Sequence, residues 1–395
     1  MSFDHNYQNN RYIYSRLISE QMKIAIIGPA HPYRGGIATY NERLASEFQA
    51  EGHEVKIITF TLQYPNFLFP GETQYTNSAK PAHLDIERRI NSVHPANWIK
   101  VGNQLKNECY DVIIARYWIP LMAPALGTIL RGAKKNKHTK IIALVDNMIP
   151  HEKRIGDRLL SKYFVGAVDA FMAMSQSVAD DIASFNEQKP RDVSPHPLFD
   201  NYGEIVSREE SLKKLNLSPD FRYILSFGLI RDYKGLDLLY QAMSDVRFTR
   251  KNIRLIVAGE YYANAEKYKN MVQKLGIDDR VIQHTFFISD EDVKYYFGAS
   301  DVVVQPYKSA TQSGVTQVAY HFNRPMIVTN VGGLTELCPD GKVGYICQVD
   351  PSSIADSILR FFDEDKFAEF TANVQEEKKR FAWGVMTKKL LALVD

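Results

Sequence analysis

Short apolar runs that end in glycine or a polar loop recur along this chain, and between them apolar residues return every three or four positions. The first run, MKIAIIGP at Met22–Pro29, reads as a buried strand. After a loop rich in Gly and Pro, Ile37, Tyr40, Leu44 and Phe48 fall on one face of a helix that Gly52 stops. Val55–Phe60 is the next strand, which completes a βαβ unit and implies parallel pairing. Strands follow at Val112–Ala115, Ile141–Val145 and Asp169–Ser175. From Ser194 to Leu217 the alternation lapses into Pro, Asn, Ser and charged residues. It restarts with strands at Tyr223–Phe227, Ile253–Ala258, Val281–Phe286, Val302–Gln305 and Met326–Thr329.

The pattern predicts an α/β protein of two doubly wound, Rossmann-like domains, residues 22–200 and 221–377, joined by a linker at 201–220. A polar extension, 1–21, precedes them. A helical tail, 378–395, follows and carries Phe381, Trp383, Leu390, Leu391 and Leu393 among lysines.

Composition narrows the function classes. Hydrophobic residues at 45% and charged residues at 24% are ordinary globular values, which excludes disorder and coiled coil. The 48 basic and 46 acidic side chains nearly cancel, so a nucleic-acid partner is not expected. Three cysteines without a CxxC pair suit a reducing, cytoplasmic compartment. Residues 1–21 lack the apolar core of a signal peptide, and the apolar stretch Trp118–Leu130 is too short to span a bilayer. The run Lys134, Lys135, Lys137, His138, Lys140 beside that stretch reads as a solvated helix end. With Phe67, Leu68 and Phe69 it also reads as a peripheral contact with the anionic inner face of a membrane.

Open α/β sheets bind ligands at the carboxyl ends of their strands, and four stretches lie there. In GPAHPYRGG, Gly35 and Gly36 directly precede a helix, so backbone amides and the helix terminus can face an anion. The stretch has neither the Lys-Ser/Thr of a P-loop nor a clean GxGxxG. In GLIRDYKG, Arg231 and Lys234 suit a diphosphate, Arg as a bidentate fork and Lys as a point charge; an ion pair with Asp232 or Asp237 is the competing reading. In PYKSATQSGVTQVAY, a helix starting near Ser313 would aim the amides of Ser313–Thr316 at another anion, with Ser313 as N-cap. In VDNMIPHEK, Asp146, Asn147 and His151 put polar groups at a strand end. Asp290, Glu291 and Asp292 after Ser289 read as a helix start rather than a metal cluster, and no metal site is expected.

In order and spacing, these stretches, together with SQSVADDI (175–182), SPHPLFD (194–200) and ATQSGVTQVAYHFNRPMIVTNVGGLTEL (310–337), resemble the family 4 glycosyltransferases of bacterial polysaccharide synthesis. The resemblance runs from Met22 to the end of the chain. It implies a GT-B fold, two Rossmann-like domains facing a cleft, with the tail helix crossing back to the first. It implies a retaining hexosyltransferase that is metal-independent and has no cofactor. Its substrates would be a nucleotide-diphosphate sugar and a saccharide or lipid-linked saccharide acceptor. The family's donor-diphosphate Arg and Lys fall on Arg231 and Lys234, and its glycine loop on Gly35 and Gly36. Its two glutamates, eight positions apart, fall on Ala310 and Val318; Gln312, Ser313, Gly314, Val315 and Thr316 stand in at the phosphates, with Glu336 as a candidate for the ribose. Asp146 occupies a position where related sequences carry His. A nucleotide-sugar 2-epimerase and a non-catalytic nucleotide-sugar-binding protein share the architecture and are the alternatives.

Overall fold

The computed structural model describes residues 21–65, 74–76, 79–150, 154–310 and 313–394. They fall into two units. The first holds the chain up to Met174, then Val178–Val193 and Thr387 onward; the second holds Ser175–Ser177 and Ser194–Met386.

In the first unit the elements run β1 (Lys23–Ile27), α1 (Gly36–Ala50), β2 (Glu54–Leu62), β3 (Asp85–Asn91), α2 (Pro95–Glu108), β4 (Val112–Tyr117), α3 (Ala123–Ala133), β5 (Lys140–Val145), α4 (Asp157–Val165), β6 (Ala170–Ala173), α5 (Gln176–Ala183) and β7 (Arg191–Val193). The sheet order is β3-β2-β1-β4-β5-β6-β7. Its pairs are parallel, with Ile26 opposite Ile57 on β2 and Ile114 on β4. Parallel strands covered by helices on both faces need apolar residues on both, and every residue of β4 is buried. On α1, Tyr40, Leu44 and Phe48 face the core as the periodicity predicts.

Two strands here escape the apolar pattern. In β3, Ile86 and Ile90 are buried but the residues between them are Glu87, Arg88 and Arg89. This edge strand satisfies Glu87 and Arg89 by ion pairs, Lys56–Glu87 at 2.6 Å and Arg89–Glu108 at 2.6 Å, and Arg88 by donation to the Phe60 and Thr61 carbonyls. The other, β7, is only three residues long.

The apolar stretch Trp118–Leu130 is mostly core. It contributes α3, where Ala123, Ala125, Leu126, Ile129 and Leu130 have no exposure. Lys134 pairs with Asp169 at 2.5 Å, and His138 with Asp111 at 2.7 Å. The membrane contact expected at 118–140 therefore loses its apolar half and part of its charge. Phe67–Phe69 lie outside the described residues.

The second unit runs α6 (Arg208–Lys214), β8 (Arg222–Phe227), α7 (Leu236–Met243), β9 (Ile253–Ala258), α8 (Ala265–Leu275), β10 (Val281–His284), α9 (Asp290–Ala299), β11 (Val302–Gln305), α10 (Gly314–His321), β12 (Met326–Thr329), α11 (Leu334–Leu337), β13 (Gly344–Cys347), α12 (Pro351–Asp363), α13 (Phe367–Glu377) and the start of α14 (Trp383–Ala392). Its parallel sheet has the order β10-β9-β8-β11-β12-β13. The expected linker 201–220 contains α6, capped by Ser207 and packed through buried Ser211 and Leu212, so part of it is folded structure.

The tail helix α14 starts in the second unit and ends in the first. There Thr387 Oγ1 donates to Glu51 Oε1 at 2.6 Å, and Lys389 Nζ donates to the Val193 carbonyl at 2.6 Å. Among the described residues no helix is long and apolar enough to cross a membrane.

Candidate active site

Each sheet reverses its winding at one point, between β1 and β4 in the first unit and between β8 and β11 in the second. The loops leaving those strands flank the place where such sheets hold ligands.

In the second unit the loops after β8 and β11 clasp each other. The Lys308 amide donates to the Tyr233 carbonyl at 2.7 Å. Gly235 sits at φ 68°, and a Cβ there would lie 1.9 Å from the Pro306 carbonyl oxygen, so only glycine fits. Gly228 ends β8 at φ 91°, and a Cβ there would meet Lys234 Nζ at 3.3 Å and Val315 Cγ2 at 3.6 Å. Lys234 is thereby held beside the first turn of α10.

The carboxylates of this loop are occupied by other cations. Asp232 pairs with Lys267 at 2.7 Å and with Lys308 at 3.4 Å, and Lys308 also pairs with Asp237 at 2.9 Å. Neither Arg231 nor Lys234 has a carboxylate partner among the described residues, so the ion-pair reading of this loop is overturned. Arg231 is exposed, its guanidinium stacked 4.2 Å from the centre of the Tyr262 ring. Lys234 lies 5.8 Å from the centre of the Tyr307 ring. Burial, with a smaller contribution from Arg231, pushes the Lys234 ammonium down from 10.5 to about 8. A desolvated cation beside a second cation is a site short of an anion.

The start of α10 is fixed from below. Gln305 Oε1, at the end of β11, accepts from Ser313 Oγ at 2.6 Å and from Thr316 Oγ1 at 3.0 Å. Ser313 thus occupies the N-cap position, but its hydroxyl, turned toward Gln305 as a donor, makes no cap hydrogen bond and anchors the helix to the sheet instead. The first-turn backbone amides of any helix lie outside its own hydrogen-bond ladder, and here they can face a ligand. Gly314 lies under Phe199, where a Cβ would approach the ring to 3.0 Å. Glu336 is exposed on α11, one strand beyond β11, and Arg380 donates to its carbonyl at 2.9 Å. Gln312 lies outside the described residues.

In the first unit Gly35, at φ 112°, opens α1. The loop before it is pinned: the His31 amide donates to Glu42 Oε1 at 2.6 Å, the Ala30 amide to Thr59 Oγ1 at 3.1 Å, and Asn41 Nδ2 to the Pro29 carbonyl at 2.8 Å. The amides of Gly36 and Ile37 begin the helix, at its positive end.

Asp146 and Asn147 sit half-buried after β5, and His151 lies outside the described residues. Asp146 accepts from Arg116 Nε at 2.6 Å and also from Arg116 Nη2. Arg116 is 2% exposed and stacks 4.1 Å from the centre of the Tyr40 ring. Burial opposes its charge most strongly, but the Asp146 carboxylate and Tyr40 together hold the guanidinium above its ordinary range. Sequence reasoning passed over Arg116. The signal was an arginine inside the apolar run VIIARYWIP, which a buried strand tolerates only with a counter-ion. Among the described residues no group of three or more His, Cys, Asp or Glu side chains could hold a metal ion.

Two family models divide the chain between them: "Glycosyltransferase Family 4" over residues 34–196 and "Glycosyl transferases group 1" over residues 207–380. The chain belongs to the family 4 glycosyltransferases and has their GT-B fold. It is 24% identical to an uncharacterised glycosyltransferase of Methanocaldococcus jannaschii over 370 residues, covering 92% of this chain and 95% of that one. Among solved structures it superposes on sucrose-phosphate synthase from Thermosynechococcus elongatus with a TM-score of 0.68 at 17% identity, over 95% of this chain and 98% of that one. HepE from Anabaena, solved in complex with UDP-glucose, gives a TM-score of 0.68 at 17% identity, over 95% and 99%. The protein is a glycosyltransferase; the epimerase and the binding-only alternatives find no support.

Proposed function

We propose that this glycosyltransferase moves a sugar, with retention, from a nucleoside-diphosphate sugar to a saccharide or lipid-linked saccharide acceptor in cell-surface polysaccharide synthesis. It works on the cytoplasmic side of the membrane and without a metal. The donor lies on the second unit, with Arg231, Lys234 and the amides of Ser313–Thr316 at its diphosphate; Gln312 is assigned to the phosphates as well, and Glu336 to the ribose. On the first unit Gly35 and Gly36 are assigned to phosphate binding, and Asp146, Asn147 and His151 to the acceptor.

The observation that carries this reading is Lys234: an ammonium driven down to about 8 by burial, with no carboxylate partner among the described residues, in a loop whose carboxylates are neutralised by other lysines. In the reaction the bond between the sugar's anomeric carbon and the diphosphate oxygen breaks, and negative charge grows on that oxygen. Arg231, Lys234 and the helix amides are in place before the charge appears, which is the most effective kind of transition-state stabilisation. The acceptor hydroxyl attacks the same face of the anomeric carbon, and its proton passes to the departing diphosphate. The UDP-glucose bound to the Anabaena neighbour makes uridine nucleotides the first donors to test.

The test is incubation with a panel of nucleotide sugars that includes UDP-glucose. Release of nucleoside diphosphate is measured, and the anomeric configuration of the product is read by NMR. Transfer or slow hydrolysis with retained configuration is expected. Isomerised donor without release, or binding without either, would refute it.

A further inference from the structure

The membrane contact does not belong to the apolar stretch and lysine run where the sequence first suggests it; we propose that α4 and the residues just before it dock the first unit on an anionic phospholipid surface. Arg158 and Lys162 lie four apart on α4, and Leu159 and Tyr163 lie four apart beside them, so both pairs share one side of the helix. Arg154 and Ile155 extend the same alternation in front of its first turn. Ile155 is fully exposed, Leu159 is 73% exposed and Tyr163 40%.

Single exposed apolar side chains are ordinary on a protein surface. These differ in two ways. Leu159 and Tyr163 line an apolar depression of about 630 Å³ that continues to Trp98 on α2, Pro124 on α3 and Leu160. And the cations beside them are not neutralised: among the described residues Arg154, Arg158 and Lys162 make no ion pair. Arg158 is spent on the Ser184 carbonyl at 3.1 Å and on the Phe185 ring. The one carboxylate on α4, Asp157, accepts from the Arg154 amide at 2.8 Å. Elsewhere on the surface the chain pairs its cations readily, as in Arg43–Glu47 and Arg360–Glu364.

Rows of apolar side chains beside unpaired cations on a short surface helix fit an interface of acyl chains below anionic headgroups. The depression is the place for the outer part of an acyl chain. The buried side of the helix, Ser161, Phe164 and Val165, fastens this face to the core. The contact gives the proposed lipid-linked acceptor a reason to meet the first unit. It rests on that reading for its purpose, but the test below does not require it.

Full-length protein is sedimented with vesicles of phosphatidylcholine alone or mixed with phosphatidylglycerol, at low and high salt, and UDP binding is followed separately by thermal shift. Wild type should bind the mixed vesicles only, less at high salt. Arg154→Glu/Arg158→Glu/Lys162→Glu should lower partitioning by about 10²-fold or more, since each cation near such a surface counts for roughly a factor of five. Leu159→Ser/Ile155→Ser should lower it as well, with charge unchanged. Lys135→Glu/Lys137→Glu should leave it nearly intact, and all variants should keep the wild-type response to UDP. Equal binding by wild type and both α4 variants would overturn the proposal. So would no binding by wild type to either vesicle, or self-association that the Leu159→Ser variant abolishes in place of vesicle binding. Loss of the UDP response with vesicle binding intact would count against the donor reading alone.

Discussion

Replacing Lys234 by methionine should make the unliganded protein more stable while removing its use for a diphosphate. Lys234 falls from 10.5 to about 8 in the folded chain. At about 1.4 kcal/mol per unit, keeping the ammonium charged at neutral pH costs about 3 kcal/mol. Solvent still reaches part of the side chain, so about 2 kcal/mol is the working figure. Methionine keeps the length and drops the charge, and the melting temperature should rise by roughly 5 °C at pH 7. The sign of the pH dependence is fixed by the direction of the shift. Because the folded value lies below the unfolded one, the unfolded chain holds the extra proton between them. The wild-type penalty is therefore complete below about pH 8 and fades as pH climbs toward 10.5, so the gap between variant and wild type should narrow over that window. Saturating UDP should stabilise wild type and not the variant, reversing the order at pH 7. Melting curves at pH 7, 8.5 and 10, with and without UDP, test this. A methionine variant less stable than wild type at pH 7, or a gap that ignores pH, would show that Lys234 is not a charge held against its own solvation.

Three further outcomes are expected. Arg231→Ala should lower turnover by roughly 10²-fold, as for other losses of transition-state charge stabilisation, and Tyr262→Leu should raise the donor KM while Tyr262→Phe keeps it near wild type, because the ring face and not the hydroxyl holds the guanidinium; steady-state kinetics decide both. Asp146→Ala should destabilise the protein by about 3–5 kcal/mol in urea titrations, because it strands the Arg116 guanidinium in a site 2% exposed; a loss of activity at full stability would instead assign Asp146 to the acceptor. Activity should survive a chelator, and dependence on added Mg²⁺ or Mn²⁺ would contradict the charge arrangement described for the second unit.

The central strands and the glycine loops were legible because buried parallel strands must be apolar on both faces and the turns after them need special backbone angles. Three of the four edge strands, β3, β7 and β13, were not; β10 was. Glu87, Arg88 and Arg89 hide β3 behind salt bridges and side-chain hydrogen bonds to β2 that form only after folding. Gly344 hides β13, since a glycine inside a strand reads as a breaker; it is there because a Cβ would strike the Met326 carbonyl at 1.6 Å. At the site, Arg231 and Lys234 stood out in a glycine-bounded loop. What no local pattern could tell was where Asp232 and Asp237 spend their charge, because Lys267 and Lys308 come from distant segments. The alternation Arg154-Ile155, Arg158-Leu159, Lys162-Tyr163 is visible in the sequence, but a row of cations becomes meaningful only once it is seen that no described residue pairs with it.

The first unit is interrupted: its sheet is complete by Val193, yet its last helical segment arrives from Thr387 onward, after the whole second unit has been made. On the ribosome, therefore, β7 emerges with its outer edge bare, and the Lys389 ammonium that closes on the Val193 carbonyl is nearly 200 residues away in the queue. Maturation of the first unit thus waits on synthesis of the second. A chain stalled or cleaved between them would leave the first unit without its Thr387–Glu51 and Lys389–Val193 contacts, so the order of synthesis fixes when this unit can be finished.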